Sequence, residues 1–521
     1  MTMEQAITTF KGLLERKKMF SSAMTIMGFD SNTIAPKGSV QAQSKRDGFF
    51  GMEIYKLETS EEMKNCLDIL GENLGQLDEV TRAEYRLAKK NYDQSTKIPA
   101  DLVRRSAELS AQSHAAWEEA RKNNHFATYA PFLKEMIDLQ KEALSYRIEP
   151  GQSPYDVLLD DYEEGMDAKT YDQFFNQLKQ VIVPLLKLVT ESPYQVETGF
   201  LKQFVAKDTQ KAISRYAAEK VGYDLNRGYI GESTHPFCNG YDKTDVRITT
   251  RYDEQDFQSS FYGVLHECGH ALYEQNVSDD INGTTLGRGV SMGIHESQSR
   301  FVENVIGRSQ AFWENASAEL KGFLPEGFKD VTPQMFYEAV NESKPSLIRV
   351  EADELTYSLH ILIRYEIEKM LFTTDVDVNE LPQIWNKKYE EYLGVTPPTD
   401  TLGVLQDVHW SWGAFGYFPT YAIGSAYSAQ LLAYMEKDLN VEELIRQGDL
   451  ATVVGWLTDK IHQYGSVKPP RELIKSIAGE ELDASYYTDY LVKKFSTLYK
   501  LTTKLESRKD FDLKVDEQAV S

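Results

Sequence analysis

The sequence predicts a mainly α-helical protein with a small β insert. Two observations carry this. Apolar residues recur at helical spacing through most of the chain. One stretch breaks the pattern: Asp245-Val246-Arg247-Ile248-Thr249-Thr250-Arg251 alternates polar and apolar, the period of a short strand. A third observation sets the setting of these helices. No apolar run approaches about 18 residues, so no membrane span is expected.

Taken in order, the first helix is expected from Met3 to about Met27, with Phe10, Leu13, Leu14 and Met24 on its apolar side. Segments 60–93 and 100–147 are charged and amphipathic, the second broken near Ala130-Pro131. They read as long helices packed as hairpins. Pro150 to Pro154 is a loop. Tyr171 to Thr190 is helical, with a kink or break expected at Pro184. Gln210 to Val221 is a further helix. Asn239-Gly240-Tyr241-Asp242 is turn-rich and suggests a hairpin with the strand that follows. Asp253 to about Asn276 is helical although Gly263 and Gly269 each cost about 1 kcal/mol there. Such glycines make sense where another backbone or a substrate passes close. A glycine-punctuated loop spans Asn282 to Gly293, and helix resumes at Ile294. Thr332-Pro333 marks a helix start. Glu351 to Phe372 is a strong amphipathic helix. The last third is helical with loops near 395–403 and 466–471, and the tail from about Lys509 is charged and expected to fray.

A chain of 521 residues can bury a large core. Its net charge of -23, from 57 basic and 80 acidic side chains, repels nucleic acid and anionic membranes. Cys66, Cys238 and Cys268 are odd in number and widely spaced. They form neither a disulfide framework nor a thiolate metal site, and they suit a reducing compartment. Arg16-Lys17-Lys18 follows the first apolar residues instead of preceding them, unlike a secretory signal. The expected location is the cytoplasm.

The chemistry centres on His266-Glu267-Cys268-Gly269-His270. Histidines at i and i+4 stack on one face of a helix, so both imidazoles can reach one tetrahedral metal ion. Glu267 lies roughly 100° around the helix, where it can approach an activated water without ligating the metal. A third ligand is needed, and Glu296, in His295-Glu296-Ser297-Gln298, is the candidate from the next helix. Its alternative is a surface carboxylate. His295 reads as a neighbour pointing elsewhere. Glu303 can hold a ligand histidine through its second ring nitrogen, or face solvent.

Beyond this motif the chain resembles carboxypeptidases of the Taq metallocarboxypeptidase family. The strings are His235-Pro236-Phe237, Asp245-Val246-Arg247-Ile248-Thr249, His266–His270, His295–Gln298, Ile348-Arg349-Val350-Glu351-Ala352-Asp353 and Gly403-Val404-Leu405-Gln406-Asp407-Val408-His409-Trp410, followed by Phe415-Gly416-Tyr417-Phe418-Pro419-Thr420-Tyr421. The resemblance implies one zinc or cobalt ion per chain at His266, His270 and Glu296, with Glu267 as general base. It implies release of single residues from peptides with a free C-terminus, and usually a homodimer. It also implies a large helical two-lobed fold with a deep groove, like angiotensin-converting enzyme and neurolysin. The length suits one catalytic domain over 1–521, with 1–200 a helical N-terminal region and 201–521 the catalytic region.

The remaining candidates lie in these strings. His409 and Tyr417 can donate to the tetrahedral oxyanion, with Tyr421 one turn on competing for the second role. A free carboxylate suits a guanidinium fork. Arg349 is the favoured fork, against an internal ion pair with Asp353 or Glu351. Arg247 on the strand can line the substrate site or pair with Asp245. His235 can contact substrate or anchor its loop. His114, His125, His360 and His462 read as structural or exposed. Two rivals remain: an endopeptidase or oligopeptidase on the same scaffold, and a non-catalytic peptide binder, against which the intact Glu267 argues.

Overall fold

The computed structural model describes residues 1–501, and the charged tail from about Lys509 falls outside them. The described chain is mainly helical with one three-stranded sheet. Among the described residues no helix is long and apolar enough to cross a membrane.

Local chemistry sets most helix ends. The first helix, Met3–Thr33, opens on a capping box in which Thr2 Oγ1 accepts from the Gln5 N–H and the Gln5 amide oxygen accepts from the Thr2 N–H. It runs six residues past Met27, because the chain meets no breaker before Pro36. Segment 60–93 divides into Glu61–Gly71 and Glu79–Lys97. Asp78 caps the second piece by accepting the Thr81 N–H at 2.8 Å. Helix Ala168–Glu191 continues through Pro184 without ending there. Leu178, Val181, Ile182, Leu185, Leu186 and Val189 are all buried along it, and that packing outweighs one lost hydrogen bond. The helix expected from Glu351 begins only at Tyr357. Asp353 prevents an earlier start, because its carboxylate accepts from the N–H groups of Leu355 and Thr356 and from the Ser343 hydroxyl.

The sheet has the order β1-β3-β2, with β1 Gly228–Glu232, β2 Cys238–Asp242 and β3 Asp245–Thr250. β2 and β3 form the expected hairpin, with an irregularity at Gly240/Asp242. β1 runs parallel to β3. Gly-Tyr-Ile-Gly-Glu carries too little alternation to announce β1 from sequence.

The chain divides into two compact units, each assembled from three stretches. The first comprises Met1–Ile98, Gly199–Phe336 and Met435–Ile477. It holds the sheet and helix Phe257–Gln275, which packs on β2 and β3. The second comprises Pro99–Thr198, Tyr337–Tyr434 and the stretch from Ala478. Its core includes the fully buried aromatic rings of Tyr155, Tyr171 and Tyr365.

Candidate active site and metal centre

Helix Phe257–Gln275 carries His266, Glu267 and His270, and helix Met292–Arg300 carries Glu296. Gly269 lets the two helices meet. A Cβ there would stand 2.3 Å from the Gln298 carbonyl oxygen and 2.5 Å from Ser299 Cα. No side chain fits such a gap, so glycine is required by the approach of a second backbone. Gly263 faces the Thr250 hydroxyl, at 3.2 Å from such a Cβ, and Pro236 Cγ, at 3.8 Å.

That approach delivers Glu296 to the histidines. Its Oε2 lies 3.6 Å from His266 Nε2 and 3.5 Å from His270 Nε2. Donors bound at 2.0–2.1 Å around a tetrahedral ion stand about 3.4 Å apart. The three ligand atoms lie within 4.8 Å of one another, and the set of two imidazoles and one carboxylate suits a divalent cation such as zinc. Burial resists ionisation of Glu296, but Arg300 and the two histidines outweigh it and hold its carboxyl well below the usual range. Arg300 Nε donates to Glu296 Oε1 at 2.7 Å, which leaves Oε2 turned to the histidines.

The two histidines are backed differently. His266 Nδ1 lies 2.9 Å from Glu303 Oε2. Glu303 also receives Arg300 at 3.4 Å and Arg308 at 3.1 Å. It sits in a π-helical turn, Phe301–Gly307, that continues the Glu296 helix. Such turns shift side-chain register and recur at functional sites. Burial disfavours the charged form of His266, yet the Glu296 charge and the Glu303 bond outweigh it and raise its pKa.

His270 Nδ1 lies 2.7 Å from His295 Nδ1, and His295 Nε2 lies 2.7 Å from Glu274 Oε1. For His270 to offer Nε2 to a cation, its Nδ1 carries the proton and donates to His295. His295 then carries its own proton on Nε2 and donates to Glu274. The Gly289 N–H also donates to Glu274 Oε1, at 2.9 Å. Tyr273 packs on the His295 ring at 5.2 Å. His295 is thus part of the ligand support, where the sequence reading had it pointing elsewhere. Its place beside Glu296 was the signal, but a helix face alone could not show which ring it would meet. Burial pushes the His270 pKa down to about 4.

Glu267 is 6 % exposed, and burial pushes its pKa up to about 7. A carboxylate in that range can take and return a proton near neutral pH. Cys268 is buried on the same helix.

In the second unit, Arg349 is 6 % exposed and bonds Asp407 Oδ1 through Nε at 3.0 Å and Nη2 at 2.9 Å. Its partner is Asp407, not Asp353 or Glu351. Its guanidinium lies 5.1 Å from the centre of the Tyr421 ring. Arg364, which the sequence did not single out, bonds Asp407 Oδ2 at 2.6 Å. Two buried guanidiniums thus share one carboxylate, and Asp407 stays ionised because they outweigh the burial that opposes it. His409 packs on Phe418 at 4.4 Å and Tyr417 at 5.4 Å between ring centres. Burial holds its pKa down at about 4, so the imidazole is neutral and can donate one hydrogen bond.

In the first unit, Arg247 pairs with Asp245 at 2.8 and 2.7 Å and lies over the rings of Phe29 and Tyr241. His235 is exposed, and its carbonyl accepts from the Ser233 hydroxyl. His462 is buried, stacks on Tyr273 and meets Gln298 at 2.9 Å; His360 is buried against Tyr389.

A helix bearing H-E-x-x-H, a carboxylate ligand from the adjoining helix and a buried glutamate between the two histidines define a metal-dependent hydrolase of the H-E-x-x-H class. Comparison with known proteins narrows the class. The family model of the carboxypeptidase Taq (M32) metallopeptidases matches residues 9–495. Carboxypeptidase 1 of Bacillus subtilis is 45% identical over 493 residues, covering 94% of this chain and 98% of the relative. Thermostable carboxypeptidase 1 of Thermus thermophilus is 35% identical, covering 96% of this chain and 100% of the relative. The crystal structure of the M32 carboxypeptidase from Deinococcus radiodurans R1 superposes with a TM-score of 0.90 at 35% identity, covering 96% of this chain and 99% of that one. The chain belongs to the carboxypeptidase Taq (M32) family and is a metal-dependent carboxypeptidase.

Proposed function

We propose that the chain removes single amino acids from the free C-termini of peptides with broad residue preference, using one zinc ion per chain held by His266, His270 and Glu296, a site that cobalt can also fill. The observation that carries this is the 3.5–3.6 Å clustering of Glu296 Oε2 with both histidine Nε2 atoms, beside a buried Glu267. When bound, the cation would acidify a water molecule and polarise the scissile carbonyl. Glu267 takes the proton of the attacking water and returns it to the leaving amine. His409 and Tyr417 donate to the oxyanion. Arg349 receives the terminal carboxylate, supported by the positive charge left where two guanidiniums face one Asp407. Arg247, His235 and Tyr421 contact the rest of the peptide. The protein works in the cytoplasm as a homodimer, which light scattering in solution tests directly.

One assay separates this reading from an endopeptidase. A single peptide is offered with a free or an amidated C-terminus. The free form should yield a ladder losing one residue at a time, silenced by a chelator. The amide should be slower by about two orders of magnitude or more, because it leaves a buried charge unpaired. Equal cleavage of both would refute the carboxypeptidase reading. Glu267→Gln should keep the metal and lower kcat by roughly 100-fold or more, and a variant with unchanged turnover would remove Glu267 from the mechanism.

A further inference from the structure

The carboxylate of Glu368 has no part in the chemistry above, yet it is fully buried on helix Tyr357–Thr373. Burying a carboxylate is costly unless its oxygens are satisfied. Its Oε1 accepts the Trp410 indole N–H at 2.7 Å. Its Oε2 accepts the Gly416 N–H at 2.8 Å and the Tyr155 hydroxyl at 2.9 Å. The nearby Arg364 directs its donors to Asp407, Gln406, Tyr389 and the His360 carbonyl. Three uncharged donors therefore hold Glu368, and two of them belong to one short segment.

That segment is the one that carries His409 and Tyr417. Trp410 follows His409 directly, and Gly416 precedes Tyr417 directly. Gly416 has φ +86°, and a Cβ there would stand 2.6 Å from the Leu158 carbonyl oxygen. Leu158 lies on the same short helix, Pro154–Tyr162, as Tyr155. One carboxylate thus ties both ends of the segment to two helices of the same unit.

We propose that Glu368 is a positioning residue that sets the placement of His409 and Tyr417 together, by bonding Trp410 with one oxygen and Gly416 with the other. This rests on the reading that His409 and Tyr417 act on the peptide. A carboxylate accepts at both ends; the isosteric amide accepts at one and donates at the other, so one contact becomes donor against donor.

The test is a double-mutant cycle on the metal-loaded full chain, with metal content and melting temperature measured for each variant. Tyr417→Phe and His409→Ala should each lower kcat. Glu368→Gln should lower kcat about tenfold with KM within about threefold, at unchanged metal content. Glu368→Gln combined with Tyr417→Phe should be slower than the worse single variant by much less than the product of the two losses. If Glu368→Gln does not accumulate as folded protein, Trp410→Phe removes the Oε1 bond alone and should show the same split and the same shortfall. Normal kcat in the Glu368 or Trp410 variant, with His409→Ala and Tyr417→Phe impaired, overturns the positioning role and leaves the reading of those residues standing. Fully multiplicative losses overturn it as well, since Glu368 then acts elsewhere. Normal kcat in both His409→Ala and Tyr417→Phe brings down the underlying reading and the proposal with it.

Discussion

His266 and His270 stand one turn apart on one helix and face the same carboxylate, yet they are held by different devices. His266 leans on Glu303, a carboxylate flanked by Arg300 and Arg308. His270 leans on a second imidazole, His295, and reaches its carboxylate, Glu274, only through it. The first support is ionic, local to one helical run, and able to carry positive charge on His266. The second is a chain of neutral rings that fixes which nitrogen of His270 holds the proton. Both devices engage Nδ1 of their histidine and leave Nε2 for the cation, by different physics.

The comparison holds only while the two helices touch. Gly269→Ala should have the largest effect, because the new methyl meets the Gln298 and Ser299 backbone. Separating the helices should cost about 1–3 kcal/mol of stability and remove Glu296 from the histidines. Thermal melting and metal titration would report both losses, and an alanine variant that binds metal normally would show that the contact does not set the site. Next come the two supports themselves. Glu303→Ala should weaken metal binding about 10–100-fold, because His266 loses its carboxylate while Arg300 keeps its bond to Glu296. His295→Ala should weaken it less, nearer the lower end, because it removes a neutral ring. Equal losses by competition with a chelator would erase the distinction between an ionic and a neutral support.

Glu267 allows a third test, in metal-free protein. Burial raises its folded pKa to about 7, above the ordinary glutamate value of 4.5. A carboxyl with a raised folded pKa destabilises the fold where it is ionised in both states, so the cost is absent near pH 4 and fully present at pH 8. The cost is on the order of 3 kcal/mol. Glu267→Gln should therefore raise the melting temperature of stripped protein at pH 8 and leave it nearly unchanged at pH 4.5 or below. A pH-independent difference would argue against a strained carboxylate. The smallest effect belongs to Arg247→Ala. Its pair with Asp245 is partly exposed, so stability should change by less than about 1 kcal/mol. A rise in KM at unchanged melting temperature would place Arg247 on the peptide.

The helical class and the hairpin were legible because both rest on periodicity that is local in sequence. The pair His266 and His270 was legible for the same reason. The sequence could nominate Glu296 through its string, but its distance to the histidines depends on Gly269 meeting a second helix. β1 was missed because two of its five residues are glycine and its partner β3 is the far strand of the hairpin, reached only past β2. The alternative partners for Arg349 were acids nearby in the chain, whereas its partner Asp407 comes from a segment 58 residues on. His295 was visible, but not its direction.

By itself, then, the sequence determined the parts: which helices form, which one carries two imidazoles and a glutamate on adjoining faces, and which family those strings resemble. Periods of two and 3.6 residues are properties of the backbone and need no distant contact. The tertiary structure alone decided the support of those parts: Glu303 under His266, His295 and Glu274 under His270, Asp407 between two arginines, and Glu368 across both ends of 409–417. Each of these is a hydrogen bond or ion pair between side chains brought together by packing. Such bonds depend on angles and on distances of about 3 Å, which no spacing along the chain encodes.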